Sequence, residues 1–539
     1  MPTDIYIPFK EEKMKILIAE HIAEEGIAFL KKAGFDVDTK FKMPREDLLA
    51  CVGEYDAIIV RSVTKVNEEL YNHAKQLKVV GRAGNGVDNI EMDGATKRGI
   101  IVVNTPDANT VSAAEHTIAL MLSLCRNIPR ANAHIKSKEW DRTLFRGVEL
   151  MNKTLGIVGL GRIGSMVATR MQSFGMNVIA YDPYIRKERF DQLNVTRIED
   201  LKDLVRQCDI LSVHTPKTKE TLGIIGEEEF NLCKSTLRIV NCARGGIVDE
   251  AALLIALNEG KVAGAAIDVL KDEPHPISPL LDLDTTVITP HLGADTYEAQ
   301  KNVGEAVALQ VFEALQGKLV ANAVNLPSLK AQELEALHPY LQLSECVGKI
   351  YHQIQHDAVQ KIELVYKGEI GKMDISTCTL AFLKGLYEII LEDSVNYVNA
   401  RYIAESRGVT ITEGSESISG NYASSLAVKI HTAKNTFTLE GALFAKSEPR
   451  IVDINGYTFD VTPKGNMLLI ENLDRPGMIG KIGLALGDEA INISTMNVSL
   501  SEKHPNAMMF LTVDAPVSEA SLNVIRSTDG IQNAWSLKI

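Results

Sequence analysis

Short apolar runs recur through the first half of the chain, each closing on glycine, proline or a polar cluster. KILIA (Lys15–Ala19), AIIV (Ala57–Val60) and KVVG (Lys78–Gly81) do not alternate with polar residues. Such runs predict strands buried on both faces, as in a parallel sheet covered by helices. Between the first two, His21–Ala33 carries apolar residues at helical spacing, and Gly34 ends that helix. A long apolar helix, Val111–Leu124, leads away from this unit. The rhythm restarts at Thr154 with a strand at Leu155–Val158, a helix at Ser165–Phe174 and a strand at Asn177–Tyr181. DILSVHTP (Asp209–Pro216), RIVNCARGG (Arg238–Gly246), GAAIDVL (Gly264–Leu270) and TVITPH (Thr286–His291) continue it. The pattern predicts two tandem, doubly wound α/β units with parallel sheets. The helix Glu298–Leu315 returns to pack on the first unit, and NAVNLP (Asn322–Pro327) reads as a linker.

The pattern then changes. Ser328–Pro463 mixes alternating strands such as KIELVYKGEI and GNYASSLAVKI with a helix at Leu380–Glu392, an α+β segment without a catalytic constellation. From Met467 the order is MLLIEN, helix Pro476–Gly487, INISTMNV, AMMFLTV, helix Glu519–Arg526, AWSLK. That is the βαββαβ order of a ferredoxin-like fold. A chain of 539 residues is too long for one core. Four domains are expected: 14–106 with 292–325, 107–291, 326–463 and 464–539.

Charge narrows the partners. There are 57 Lys and Arg against 70 Asp and Glu, a net −13. This argues against nonspecific binding to nucleic acid or anionic membrane, and an anionic substrate needs locally placed arginines. No apolar run is long enough for a membrane span, and the first dozen residues lack a signal core and read as a short arm. Seven scattered cysteines without a CxxC predict reduced thiols and a cytoplasmic protein.

The second unit carries the chemistry. TLGIVGLGRIGSMVATRMQSFGMNVIAYD places Gly159, Gly161 and Gly164 between strand and helix, and Asp182 at the end of the next strand. This is the dinucleotide-binding βαβ fingerprint of a Rossmann unit. Gly159 permits the turn, Gly161 admits a pyrophosphate to the helix N-terminus, and Gly164 lets helix and strand approach. Asp182 accepts from ribose hydroxyls and repels a 2′-phosphate, which favours NAD over NADP; Arg186, four residues on, opposes that preference. Arg244, Glu273 and His291 each follow a strand of this unit. A histidine suits proton removal from an alcohol, a carboxylate orients it, and an arginine grips a substrate carboxylate. Together they form a set for oxidising a 2-hydroxy acid.

GRAGNGVDNI, NTPDANTVSAAEHTIALML, GLGRIG, NCARGGIVDEAAL, AAIDVLKDEP and PHLGADTYEAQ resemble motifs of the D-isomer-specific 2-hydroxyacid dehydrogenases, and the resemblance extends over almost everything after Met14. It implies Arg244 on the substrate carboxylate, His291 as acid/base and Glu273 as its partner. It implies Arg162 and Ile163 at the pyrophosphate turn. Thr215, Cys242, Ala243, Asp268, Gly293 and Ala294 would surround the remaining parts of NAD, with Asp268 near the carboxamide. Arg61, Asn85, Gly86 and Arg142 would complete the substrate site for a phosphorylated acid, D-3-phosphoglycerate, with Arg142 reaching in from a partner subunit. The last segment resembles an ACT module, which implies an amino-acid effector, L-serine, near Asn472, Asp474 and Asn492. Without a ligand, Asp474 reads as a helix cap. Lys446 and Arg450 read as an anion site or a solvated face. The resemblance implies a homodimer or tetramer. Reduction of hydroxypyruvate or glyoxylate, and a non-catalytic NAD-sensing scaffold, stand as alternatives.

Overall fold

A computed structural model describes residues 13–274, 277–327, 331–391, 394–417, 422–445, 447–501 and 505–539. The first sheet contains β1 (Lys15–Ile18), β2 (Asp36–Thr39), β3 (Ala57–Val60), β4 (Val79–Arg82) and β5 (Ile101–Val103). It is parallel, in the order β2-β1-β3-β4-β5. The second contains β6 (Thr154–Val158), β7 (Asn177–Tyr181), β8 (Thr196–Arg197), β9 (Ile210–Val213), β10 (Arg238–Asn241), β11 (Gly264–Ile267) and β12 (Thr286–Ile288). It is also parallel, in the order β12-β11-β10-β9-β6-β7-β8. Every residue of β3, β9 and β11 is buried, which is why these stretches are apolar without alternation.

The helix Thr110–Arg126 connects the two sheets and packs on the second, burying Ala114, Leu120 and Met121 with Leu155 and Ile157. The helix Tyr297–Leu315 returns to the first sheet, where Val303, Val307 and Val311 join Ile16, Ile18 and Ile59. Its approach is close: a Cβ on Gly26 would sit 2.4 Å from the Gly304 carbonyl oxygen. The linker after this helix runs along the outer edge of β5. Val324 N–H donates to Val102 O at 2.7 Å, and Ala323 bridges Val103 in antiparallel fashion. Asn325 closes the join, donating to Ile100 O and accepting from Val102 N–H.

In the third region, β13 (Val359–Gly368), β14 (Thr410–Glu416), β15 (Ser424–Thr432), β16 (Thr436–Phe444), β17 (Glu448–Ile454) and β18 (Tyr457–Val461) form a sheet ordered β14-β13-β15-β16-β17-β18. Only β13 and β14 pair in parallel. The helices Ala331–Ile354 and Ile375–Leu391 pack against it through Leu343, Val347, Phe382 and Leu386. Gly348 and Gly385 let them cross at backbone distance, since a Cβ on either would lie within 2.3 Å of a carbonyl of the other helix. Asn396 then reaches the first unit, donating to Gly99 O at 2.7 Å. The last region contains β19 (Asn466–Leu473), β20 (Ile493–Leu500), β21 (Asn506–Val513) and β22 (Ile531–Lys538), antiparallel in the order β20-β21-β19-β22. Its helices, Met478–Asp488 and Glu519–Ser527, cover one face, giving the expected βαββαβ order.

Several boundaries differ from the sequence expectation. The first helix spans Glu24–Lys32, and the glycine-turn helix Arg162–Gln172, so Arg162 to Gly164 already form its first turn. The strands that the pattern missed are polar or short: β2 is DVDT, β5 has three residues, IVV, and β8 two, TR. All seven cysteines are free, and among the described residues no helix is long and apolar enough to cross a membrane. Lys446 and the arm before residue 13 lie outside the described residues.

Candidate active site

The glycine turn has the form that the fingerprint implies. Gly159 sits at φ +92°, and its N–H donates to Tyr181 O at 2.9 Å. Gly164 packs so closely that a Cβ would lie 2.1 Å from Gly159 O. Gly161 differs: nothing lies within 4 Å of where its Cβ would be. It is also the N-cap of the helix Arg162–Gln172, with no side chain capping it. The free N–H groups and helix dipole therefore face open space, as an anion requires. Asp182 accepts from Leu160 N–H at 2.9 Å and Tyr184 N–H at 3.0 Å, fixing the acid to the turn while carboxylate lone pairs remain for hydroxyl donors. Thr215, after β9, has a buried hydroxyl without a protein partner. These residues fit a dinucleotide. Arg162 pairs with Asp107 at 2.5 Å at the edge of the turn, Ile163 packs into the unit's core, and Arg186 is the N-cap of the helix Lys187–Gln192.

Further along the same rim, Asn241 shapes the Cys242–Arg244 loop, accepting from Ala243 N–H at 3.0 Å and donating to Arg244 O at 3.1 Å. Burial pushes the Cys242 thiol up to about 12, so it carries no charge here. Asp268, expected beside a cofactor amide, is 1% exposed and engaged with protein donors. Oδ1 accepts from Leu292 N–H at 2.8 Å and Thr289 Oγ1 at 2.5 Å, with His116 Nε2 at 3.1 Å; Oδ2 accepts from Gly293 N–H at 2.8 Å. Burial raises its pKa, but these hydrogen bonds outweigh burial and leave the carboxyl below its ordinary value. Asp268 thus shapes the turn that carries His291, whose φ of +56° is left-handed. Ala294 continues this turn, its carbonyl accepting from Gln300.

His291 Nδ1 lies 2.7 Å from Glu273 Oε2, and Glu273 Oε1 accepts from Leu270 N–H at 2.9 Å. The carboxylate is thereby fixed, the imidazole is oriented by it, and Nε2 is left toward the cleft. Arg244 faces the same cleft of about 140 Å³, which Asp88, Lys217 and Gly245 also line. Arg244 Nε donates to Asp88 Oδ2 at 3.1 Å, a contact between the two lobes. Gly86 lies against the guanidinium, because a Cβ there would sit 2.0 Å from Arg244 Nη2. Asn85 is exposed, and Asn104 holds its carbonyl at 2.6 Å.

Arg82, at the end of β4, escaped the sequence reading. Its Nε is buried without a hydrogen-bond partner. Burial, helped by the like charges of Arg244 and Arg61 and opposed by Glu20 and Asp88, brings its pKa down to about 10. A charge this poorly neutralised favours an incoming anion. The signal was present in VVGR, a cation ending an apolar strand inside GRAGNGVDNI. Asp88 and His116 were missed too, because each acts through a contact far away in sequence, as were Lys217 on the cleft wall and Asn241 within its own loop. Arg61 is held near Glu20, whose carboxylate accepts from the Arg61 N–H at 2.9 Å. Arg142 opens an exposed turn, Arg142–Phe145, and is not among the residues lining the cleft. No group of side chains able to hold a metal ion stands among the described residues.

Two C-terminal expectations change. Asp474 does not cap the helix Met478–Asp488; Gly477 does, at φ +91°, with no side-chain bond. Arg450 is committed to Glu448, Asp460 and Thr462, so it forms no free anion site. Asn472 is buried with its side-chain oxygen unpartnered, while Asp474 and Asn492 are exposed.

Residues 118–293 match the model of the D-isomer specific 2-hydroxyacid dehydrogenase NAD binding domain, and residues 336–455 that of the D-3-phosphoglycerate dehydrogenase intervening domain. D-3-phosphoglycerate dehydrogenase of Archaeoglobus fulgidus is 44% identical over 98% of this chain and 100% of its own. The Methanocaldococcus jannaschii enzyme of the same name is 42% identical over 96% of this chain and 99% of its own. The chain belongs to the D-3-phosphoglycerate dehydrogenase family. It is an NAD-dependent dehydrogenase of the D-2-hydroxyacid type. A solved 3-phosphoglycerate dehydrogenase from Entamoeba histolytica with bound NAD⁺ aligns at TM-score 0.50 and 30% identity, covering 59% of this chain and 100% of that one.

Proposed function

We propose that this chain oxidises D-3-phosphoglycerate to 3-phosphohydroxypyruvate, the first step of L-serine biosynthesis. The observation that carries the reading is the His291–Glu273 pair facing Arg244 across one cleft. Arg244, with the Asn85 and Gly86 backbone, orients the substrate carboxylate. Asp88 holds Arg244 by Nε and the Ala243 carbonyl holds Nη1 at 2.7 Å, which leaves Nη2 for that task. Arg61 and the under-neutralised Arg82 receive the phosphate, and Arg142 joins them from the exposed turn Arg142–Phe145 of a second subunit. His291 Nε2 takes the C2 hydroxyl proton, and Glu273 stabilises the imidazolium through Nδ1. NAD⁺, when bound, supplies the hydride acceptor. Gly159, Gly161, Arg162, Ile163, Gly164, Asp182, Thr215, Cys242, Ala243, Gly293 and Ala294 form its groove, and Asp268 shapes the groove's inner end. Closure of the lobes excludes water.

The proposed units are a discontinuous substrate domain (14–106 and 292–325), an NAD domain (107–291), an intervening domain (326–463) and an ACT domain (464–539). The four-stranded βαββαβ region supports the last. L-Serine acts as feedback effector there, between paired modules, near Asn472, Asp474 and Asn492. The orphaned Asn472 oxygen and the uncapped helix start support that site. The free cysteines suit the cytoplasm, and the exposed Ile128, Ile135, Trp140 and Leu144, on the helix Ile128–Lys136 and the stretch after it, suit a homodimer that the ACT modules extend to a tetramer.

The test is NADH formation from D-3-phosphoglycerate, with D-lactate and glycerate as comparisons and a serine titration of wild type and Asp474→Ala. Turnover confined to the phosphorylated substrate is expected, with inhibition by serine that the variant weakens. Equal turnover of all three acids would overturn the substrate assignment, and a flat serine titration would overturn the feedback.

A further inference from the structure

The loops after β7 and β9 border the glycine turn from opposite sides, because β6 lies between those strands in the sheet. Neighbouring strands stand about 4.8 Å apart, so these loops face each other across roughly 10 Å. One side-chain hydrogen bond spans that gap: Tyr184 Oη donates to Glu220 Oε2 at 2.6 Å.

Both partners are held by their own loops. The Tyr184 N–H is bonded to Asp182 Oδ1, which ties the ring to the acid at the end of β7. Glu220 projects from a compact turn in which Thr221 Oγ1 accepts from Thr218 N–H at 2.8 Å and donates to Pro216 O at 2.6 Å. Gly223 N–H anchors the far end of this turn to Gly246 O at 2.9 Å. The ring so positioned is nevertheless 80% exposed. A large aromatic face, tethered at its hydroxyl and left uncovered beside the ribose acid, is a stacking surface without an occupant from the chain itself.

We propose that Tyr184 and Glu220 form a clasp over the adenosine end of the NAD groove. The phenol face packs on the adenine, and the Tyr184–Glu220 bond opens to admit the dinucleotide and recloses over it. This rests on NAD lying along the glycine turn. Tyr184 is then a cofactor-binding residue and Glu220 a positioning residue, and neither touches the reacting atoms. The pair sets how long the dinucleotide stays, because the floor at Gly161 is open and offers only backbone N–H groups.

The test uses the full chain without substrate. NADH affinity is read by fluorescence titration and release by stopped-flow displacement. Base stacking on an aromatic side chain predicts that Tyr184→Ala weakens NADH and 5′-AMP alike, about tenfold. Tyr184→Phe and Glu220→Ala keep or spare the ring but break the tether, so NADH leaves about threefold faster from each. The double variant Tyr184→Phe/Glu220→Ala releases no faster than either single, since both remove one bond. Both side chains are on the surface, and an unchanged melting temperature shows that the variants fold. Wild-type affinity and release in Tyr184→Ala would overturn the clasp alone. Additive effects in the double variant would overturn the tether. Failure of wild type to bind NADH would overturn the cofactor reading and the clasp with it.

Discussion

The cleft between the first two sheets and the helix crossing in the third region both gather charged side chains, and they treat them in opposite ways. At the crossing, Glu345 receives Lys384 at 2.7 Å, Lys349 at 3.2 Å and the Tyr397 hydroxyl at 3.1 Å, while Glu388 takes a second contact from each lysine. Each of these charges faces its opposite, and Glu345 ends below the ordinary carboxylate range because the lysines outweigh its burial. Beside the cleft, Arg82 keeps a buried Nε unpaired, and Arg61 and Arg244 set like charge near it. Closed networks hold helices together, and open ones wait for a ligand.

Four experiments bear on that contrast. The largest effect is expected for His291→Ala, which should lower kcat by roughly a thousandfold, as for loss of a general base, with NADH affinity kept. Near-normal turnover would remove the cleft from the chemistry. Next, Arg82→Met should raise KM for D-3-phosphoglycerate about thirtyfold through loss of a charge-assisted contact, with little change in melting temperature. A large fall in melting temperature instead would place Arg82 with the structural charges. Glu345→Gln should do the reverse, leaving two lysines under-balanced, lowering unfolding free energy by about 1–2 kcal/mol in a partly exposed network and sparing kcat. Chemical denaturation and steady-state kinetics on the same preparation separate these outcomes.

The smallest effect is expected for the Asp268 turn. Its carboxyl is held below the ordinary value of 3.8, so the ionised form favours the folded state. That stability is present above pH 3.8 and lost as pH falls through the lower folded value. The denaturation midpoints of wild type and Asp268→Asn should therefore differ at neutral pH and converge below about pH 4. A gap that stays constant down to pH 3 would sever the link to Asp268.

Much of this was legible in sequence because the chemistry sits at strand ends. Gly159, Gly161 and Asp182 belong to one local βαβ unit, and Glu273 and His291 follow strands that apolar runs mark clearly. What stayed hidden depends on distant contacts. Asp88 meets Arg244 across 156 residues, and His116 meets Asp268 across 152, with no local pattern to announce either. The helix Ala331–Ile354 was missed because Pro339 interrupts its pattern, yet the crossing with Ile375–Leu391 sustains it. The polar edge strand β14, TITEGSE, lacks the apolar alternation of a buried face. Asp474 looked like a cap because it precedes a helix, but the left-handed Gly477 begins that helix three residues later.

The linker laid along β5 has a consequence for trimming the protein. A sheet rim with bare amide groups is a template for adhesion between molecules. Ala323 and Val324 shield that rim, and Asn325 fastens the shield. A catalytic fragment cut after Pro327 keeps its own guard. One cut before Asn322 sheds it and presents the bare edge of β5 to whatever chain drifts past.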